Sequence, residues 1–138
     1  MIGIWALLGA LVVTGAVGAV LRFREGRVTK VAARDVPDEV RELLAPDAVT
    51  LVQLSTTFCA PCRHAKVLLG DLASRTEGLH HVELDITNLP AVASTLGVLR
   101  TPTTVAYSAA GTELLRVGGV PRRDALLDAL RPHLVSPT

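Results

Sequence analysis

Aromatic side chains are scarce in this sequence, with one Trp, one Tyr and two Phe, together 3% of the residues. A surface that binds single-stranded nucleic acid by base stacking needs several of them, so the sequence argues against such a surface. A charge excess is also missing, because 14 basic residues are matched by 13 acidic ones. A net charge of +1 creates no field that attracts nucleic acid, and we expect no nucleic-acid partner.

Internal repeats and low-complexity segments are absent as well. Apolar residues make up 49% of the sequence and the charges are balanced, which excludes long disordered tracts. The length of 138 residues fits one ordinary domain with little left over. A multidomain enzyme is therefore not expected.

No charged residue occurs in the segment 2–21, a run of twenty largely apolar residues. At a rise of about 1.5 Å per residue, a helix of this length spans roughly 30 Å, about the thickness of the hydrocarbon core of a bilayer. Trp5 lies near one end of the run, and Arg22 and Arg24 follow its other end, as is common at membrane interfaces. The sequence therefore predicts a single transmembrane helix over 2–21.

A basic juxtamembrane segment over 22–27 follows this helix, and residues 28–138 form the predicted soluble domain. The alternative for the apolar run is a cleaved secretory signal, which normally has basic residues before roughly 7 to 15 apolar ones. No Lys or Arg precedes this run and it is longer, although Ala16-Val17-Gly18 resembles a cleavage site. A membrane anchor is the favoured interpretation, so a membrane is an expected partner.

The basic residues next to the predicted span indicate its orientation. Four of them, Arg22, Arg24, Arg27 and Lys30, lie within ten residues after the span, whereas the other side offers only the amino group of Met1. Lys and Arg near the ends of a span favour the cytoplasmic side. We therefore expect the soluble domain to face the cytoplasm, with an extracytoplasmic domain as the alternative.

Predicted strands and helices alternate in the soluble domain. An almost continuous apolar run predicts a buried strand over Val49–Leu54, and a short turn at 109–111 predicts a hairpin of two strands, Thr103–Tyr107 and Glu113–Val117. Further strands are predicted over Val28–Val31 and His80–Ile86. Apolar residues at helical spacing, together with proline in the first turn, predict helices that begin near Pro37, Ala60, Pro90 and Pro121. In the helix from Ala60, we expect the buried side to carry Val67, Leu68, Leu69 and Leu72. This order predicts an α/β fold with a mixed central sheet flanked by helices.

The two cysteines of the chain both fall in the segment Phe58-Cys59-Ala60-Pro61-Cys62, between a predicted buried strand and a predicted helix. A helix N-terminus stabilises a thiolate, because its unpaired N–H groups carry a partial positive charge. Cys59 is then the expected exposed, attacking thiol, and Cys62, one turn into the helix, the thiol that resolves mixed disulfides. Pro61 supports this arrangement by fixing the backbone of the first helical turn.

Three other roles for the cysteine pair stay open at this point. A structural zinc site needs four ligands, and the histidines at positions 64, 80, 81 and 133 lack the compact spacing of such sites, so we expect no metal. A structural disulfide normally closes a longer loop than the two residues between these cysteines. Inert thiols placed by chance are the third alternative.

Three motifs together resemble the thioredoxin family. They are the stretch VTLVQLSTTFCAPCR over 49–63, the Thr101-Pro102-Thr103 sequence that begins 39 residues after Cys62, and the Gly118-Gly119 pair. The resemblance covers about 28–134, nearly the whole predicted soluble domain. It implies a thioredoxin fold and thiol–disulfide exchange with no bound cofactor.

The resemblance also implies a substrate-binding surface. A cis peptide bond is expected before Pro102, opposite the dithiol, and the backbone of Thr101 is expected to pair with an extended substrate segment. Phe58 and Pro61, beside the cysteines, are expected to contribute to the same surface. The implied partners are proteins that contain disulfides and a thiol reductant or reductase that donates electrons.

Two positions depart from the family pattern. Gln53 stands where the family usually buries an aspartate, and Glu83 where it usually has a lysine. Because glutamine cannot accept a proton at neutral pH, the usual acceptor for the Cys62 proton is missing, and Glu83 or water could replace it. His64, two residues after Cys62, either faces the site and lowers a thiol pKa or is a solvated helix residue.

The sequence as a whole predicts a membrane-anchored protein thiol–disulfide oxidoreductase that acts as a reductase. Two alternatives remain. One is a non-enzymatic thioredoxin-like module that docks a partner at the membrane. The other is an extracytoplasmic thioredoxin-like protein that serves disulfide chemistry or cytochrome maturation.

Overall fold

A computed structural model describes residues 1–29 and 35–134 of the chain. Its first element, helix α1 (Ile2–Arg24), is exposed along its whole length. This helix is long and apolar enough to cross a membrane. It continues for three residues past the apolar run, so the basic residues Arg22 and Arg24 occupy its last turn.

Short strands and helices follow α1 in alternation. They are β1 (Val28–Thr29), α2 (Asp38–Arg41), β2 (Val49–Ser55), α3 (Ala60–Arg75), β3 (Leu79–Asp85), α4 (Pro90–Leu96), β4 (Thr103–Tyr107), β5 (Glu113–Gly118), α5 (Arg123–Leu130) and a 3-10 turn (Arg131–His133).

The five strands form one mixed sheet in the order β1-β5-β4-β2-β3. β2 and β3 run parallel, whereas the pairs β2–β4, β4–β5 and β1–β5 are antiparallel. Every residue of the interior strand β2 is buried, since β4 and β3 flank it and helices cover both faces of the sheet. The predicted α/β architecture, a mixed sheet flanked by helices, is confirmed.

The sheet separates two apolar cores, one on each of its faces. On one face, Leu51 packs in a core with residues of α3 and α5, including Leu69 and Leu126. On the other face, the neighbouring Val52 packs in a core with residues of α2 and α4, including Leu96. Successive side chains of a strand point to opposite faces, which explains the division.

The ends of several strands meet at one edge of the sheet. Thr103, which begins β4, pairs with Gly118 at the end of β5 and with Leu54 near the end of β2. Val28, which begins β1, pairs with Val117 of β5. We call this edge, which is formed by the ends of the strands and not by an outer strand, the dithiol edge. It carries the cysteine segment that follows β2.

Two predicted elements differ in extent from those in the structure. Residues 30 and 31, at the end of the first predicted strand, lie outside the described residues. The helix predicted from Pro37 is only one turn long, because after Arg41 the backbone continues in tighter turns, in which the N–H of Leu43 donates to Val40 O.

Candidate active site

The cysteine pair lies where β2 leads into α3. Cys59 is the N-cap residue of α3 and has an extended backbone, with φ −140° and ψ 98°. Its Sγ accepts a hydrogen bond from the backbone N–H of Cys62 at 3.2 Å. The two sulfurs are bonded at 2.13 Å, with 5.2 Å between the Cα atoms, so the structure shows the oxidised pair.

The two cysteines differ in their access to solvent. Cys62, in the first turn of α3, is only 3% exposed, whereas Cys59 is partly exposed. Phe58, directly before Cys59, is 99% exposed, and Pro61 is exposed on the first turn. A protein that approaches the pair from solvent therefore meets Cys59 first.

The Thr101–Pro102 peptide bond is cis, as predicted. Thr101 lies close to the cysteine segment, since its Oγ1 is 3.4 Å from Oγ1 of Thr56. The carbonyl of Pro102 accepts a hydrogen bond of 2.8 Å from the backbone N–H of Gly119. The fold thus brings together all three motifs that the sequence analysis singled out.

A buried glutamine connects Cys62 to β3. The amide nitrogen of Gln53, which is fully buried, donates to Cys62 O at 2.8 Å and to Glu83 Oε2 at 3.4 Å. Its amide oxygen lies 3.1 Å from Nε2 of His81. Because the carbonyl of Cys62 only accepts hydrogen bonds, the amide nitrogen must face it, and the amide oxygen faces the histidine. Nε2 of His81 is therefore the donor in that bond.

His81 is the residue of this cluster that the sequence analysis missed. It is half-buried between the sheet and α3, and this burial lowers the pKa of its imidazole, an effect that the nearby Glu83 carboxylate opposes. Lys66 of α3 also faces the cluster, with Nζ 3.3 Å from Glu83 Oε1. The available signal was strand alternation, because positions 81 and 83 share a face with position 53 across a parallel pair.

The remaining candidate residues lie as follows. Glu83 reaches Cys62 only through the amide of Gln53, so it is two hydrogen bonds from the backbone of that cysteine. His64 is exposed on α3. Within 1–29 and 35–134, no group of three or more His, Cys, Asp and Glu side chains is placed to hold a metal ion.

Comparisons with known proteins agree with this geometry. The family model described as thioredoxin matches residues 29–132. Thioredoxin 1 of Nostoc sp. is 30% identical over 106 residues, which cover 75% of this chain and 98% of that protein. Thioredoxin H5 of Oryza sativa subsp. japonica is 30% identical over 84 residues, covering 60% of this chain and 62% of that protein.

Solved structures show the same fold. A mutant thioredoxin from Halobacterium salinarum superposes with a TM-score of 0.62 at 23% identity, over 74% of this chain and 89% of that one. The oxidised form of mitochondrial thioredoxin 3 from Saccharomyces cerevisiae superposes with a TM-score of 0.57 at 22% identity, over 68% and 87% of the two chains. The helix α1 lies outside the range that the family model matches.

Proposed function

Since the chain belongs to the thioredoxin family, we propose that it works as a membrane-anchored protein reductase whose dithiol is Cys59 and Cys62. Family membership and the bonded cysteine pair support thiol–disulfide oxidoreductase activity. The observation that carries the proposal is the position of this pair at the start of α3, with one sulfur accessible and the other buried.

The proposed reaction starts from the reduced dithiol. The Cys59 thiolate attacks one sulfur of a substrate disulfide, which forms a mixed disulfide and releases one substrate thiolate. Cys62 then loses its proton and attacks Cys59 Sγ, which releases the second substrate thiolate and closes the Cys59–Cys62 disulfide. Two electrons pass from the dithiol to the substrate, and a thiol reductant or dithiol reductase returns them by the same exchange.

The surroundings of Cys59 favour it as the attacking thiol. Its sulfur lies at the N-terminus of α3, where the dipole of a 16-residue helix and the N–H of Cys62 both stabilise negative charge. Cys62 is shielded by the helix and the sheet, so an external disulfide reaches it less easily. We assign substrate binding to the surface around Cys59, which comprises Phe58, Pro61 and Thr101, together with the adjoining Pro102, which is buried.

The assignment of the two thiols predicts which variant traps a substrate. Cys62→Ser should accumulate mixed disulfides with protein substrates, because nothing resolves the bond that Cys59 forms. Cys59→Ser, the matched control, should trap few. Non-reducing electrophoresis of the two variants with a model disulfide substrate measures the difference. The assignment is wrong if a limiting amount of alkylating reagent labels Cys62 of the reduced wild type before Cys59.

Membrane anchoring and orientation complete the proposal. The exposed apolar surface of α1 supports insertion in a bilayer, and the basic residues that follow it support a domain on the cytoplasmic side. In the cytoplasm, glutathione and thioredoxin systems keep thiols reduced, which suits a dithiol that donates electrons.

A further inference from the structure

The end of α1 and the dithiol lie at the same edge of the sheet. β1 begins only four residues after α1 ends, and it starts at the dithiol edge, since Val28 pairs with Val117 near the end of β5. From β1 the sheet continues through β5 and β4 to β2, which leads to Cys59. Strands are spaced by about 4.8 Å, so the three steps from β1 to β2 amount to roughly 15 Å.

The joint between α1 and the domain is held by direct contacts. The backbone N–H of Gly26 donates to Gly118 O at 2.9 Å. Gly26 has φ +71°, and a Cβ at this position would lie 2.6 Å from Val120 O, so the joint requires glycine. Glu25 forms an exposed ion pair with Arg100, which precedes the Thr101–Pro102 bond, at 3.9 Å.

Only the six residues 22–27 separate the apolar run from the domain, and the first three of them belong to α1. Gly18 and Ala19, which belong to the run over 2–21, line one surface cavity together with Val120 and Arg122 of the domain. The loop between β5 and α5 therefore lies beside the last turns of α1. When α1 spans a bilayer, the dithiol edge rests at the bilayer surface.

The exposed apolar side chains of the domain are concentrated at this edge. Apart from α1 and its N-cap residue Met1, the large apolar side chains that are exposed in the described residues are Phe58, Val67 and Leu99. Phe58 precedes Cys59, and Leu99 lies two residues before Thr101, with exposures of 99% and 96%. Both side chains are therefore accessible beside the dithiol to a protein segment that emerges from the bilayer.

We propose that the substrates of this dithiol are disulfides of integral membrane proteins, in segments that leave the bilayer next to it. The proposal rests on the proposed function and on insertion of α1. A domain fastened to its span without a flexible linker reaches only sulfur atoms near the bilayer surface, and it holds its dithiol at high effective concentration there. A disulfide far from the bilayer reacts only when it belongs to a soluble protein that can diffuse to the dithiol edge.

The first test measures the height of the dithiol above a bilayer. The full chain carrying Cys62→Ser is labelled at Cys59 with a fluorescent donor and inserted in vesicles with acceptor-labelled lipid headgroups. The control places the label at Ala109→Cys, in a chain with both native cysteines changed to serine, because the turn after β4 lies at the opposite edge of the sheet. We expect stronger energy transfer from Cys59, since a strand of five residues separates the edges by roughly 17 Å. Equal or weaker transfer from Cys59 would overturn the proposal.

The second test compares rates of disulfide reduction in the same vesicles. Two membrane-spanning peptides carry an identical disulfide loop, placed about 3 or about 25 residues beyond the span, and a soluble peptide carries the same loop. We expect the near loop to be reduced about tenfold faster than the distant one. A Gly/Ser linker of about 20 residues inserted after Arg24, with a root-mean-square length of about 25 Å, should remove this preference.

The outcomes separate the two proposals. If the reduced wild type reduces none of the three peptides, the proposed function is wrong. If it reduces the soluble peptide but shows no preference for the near loop, or if the linker leaves the preference unchanged, only the membrane-proximal substrate class is wrong.

Discussion

A buried amide, that of Gln53, takes the place beneath Cys62 where a carboxylate would serve as a base. Its nitrogen is used in the bond to Cys62 O and its oxygen in the bond from His81, so it holds the backbone of the resolving cysteine but removes no proton. Glu83 is the carboxylate nearest to this amide, and its link to the cysteine runs through the amide itself. We therefore expect slow deprotonation to limit the release of mixed disulfides.

Gln53→Asp should accelerate that release. Burial and the nearby Glu83 carboxylate both raise the pKa of an aspartate at this position toward neutrality, where it can take the proton of Cys62. We expect resolution of a preformed mixed disulfide to become about tenfold faster near pH 7, as followed by rapid quenching. Gln53→Asn is the matched control, because it shortens the side chain equally without supplying a base. Equal rates for the two variants would show that the proton leaves by another route.

The burial of His81 predicts a pH dependence of stability. Because the folded state lowers the pKa of this imidazole below its ordinary value of 6.5, the unfolded chain takes up the proton first as the pH falls. The free energy of unfolding should therefore decrease as the pH falls below about 6.5. Asp71 and Asp85 do not interfere, since hydrogen bonds lower the pKa of each below 3.8.

His81→Gln should weaken this pH dependence, because glutamine keeps an N–H donor for Gln53 and does not titrate. The measurement is the urea midpoint at pH 7.5 and pH 5 for the wild type and the variant. His80→Gln is the matched control, since His80 is the exposed neighbour on the same strand. An equal loss of stability in the wild type and in His81→Gln would contradict the assigned role of burial.

Among single residues, the sequence was sufficient to locate those site residues that belong to its three motifs. The spacing of the cysteines and the resemblance located Cys59, Cys62 and the cis bond before Pro102. Strand alternation places His81 on the same face as Glu83, but its contact with Gln53 also depends on the register between two parallel strands, which no local pattern encodes. His81 was missed for this reason.

Among the elements, the bounds of the strands were predicted more accurately than the buried side of helix α3. Val67 was expected on the buried side of α3 and is 74% exposed, so that prediction was wrong. The buried residues of α3 are Cys62, Ala65, Leu69 and Leu72. At about 100° per residue, Val67 lies some 200° from Leu69 around the helix, on the opposite side.

The orientation of α1 determines which compartment the domain faces, and with it the kind of disulfide chemistry that the domain serves. The basic residues that follow it predict that the domain stays in the cytoplasm. Alkaline phosphatase fused after Thr138 should then be inactive in bacterial cells, because it folds only where disulfides form. A cytoplasmically active reporter fused at the same site is the control. Strong phosphatase activity would reverse the orientation and favour disulfide or cytochrome-maturation chemistry outside the cytoplasm.

At the scale of the whole molecule, the order of elements was sufficient to predict a mixed sheet between helices, but not the neighbours of each strand. β1 pairs with β5 and not with β2, the next strand in the chain. That pairing brings the end of α1 to the dithiol edge, and it depends on contacts about 90 residues apart in sequence. The position of the dithiol at the same edge of the sheet as the end of α1 therefore became apparent only in the folded chain.

We infer that this chain transfers electrons through Cys59 and Cys62. The decisive measurement is the reduction of insulin disulfides by the full chain, in lipid vesicles with dithiothreitol as electron donor. We expect the wild type to accelerate the precipitation of insulin chains, and Cys59→Ser and Cys62→Ser each to lose this acceleration. A wild-type rate no higher than that of Cys59→Ser would contradict the claim and favour a thioredoxin-like module that only docks a partner.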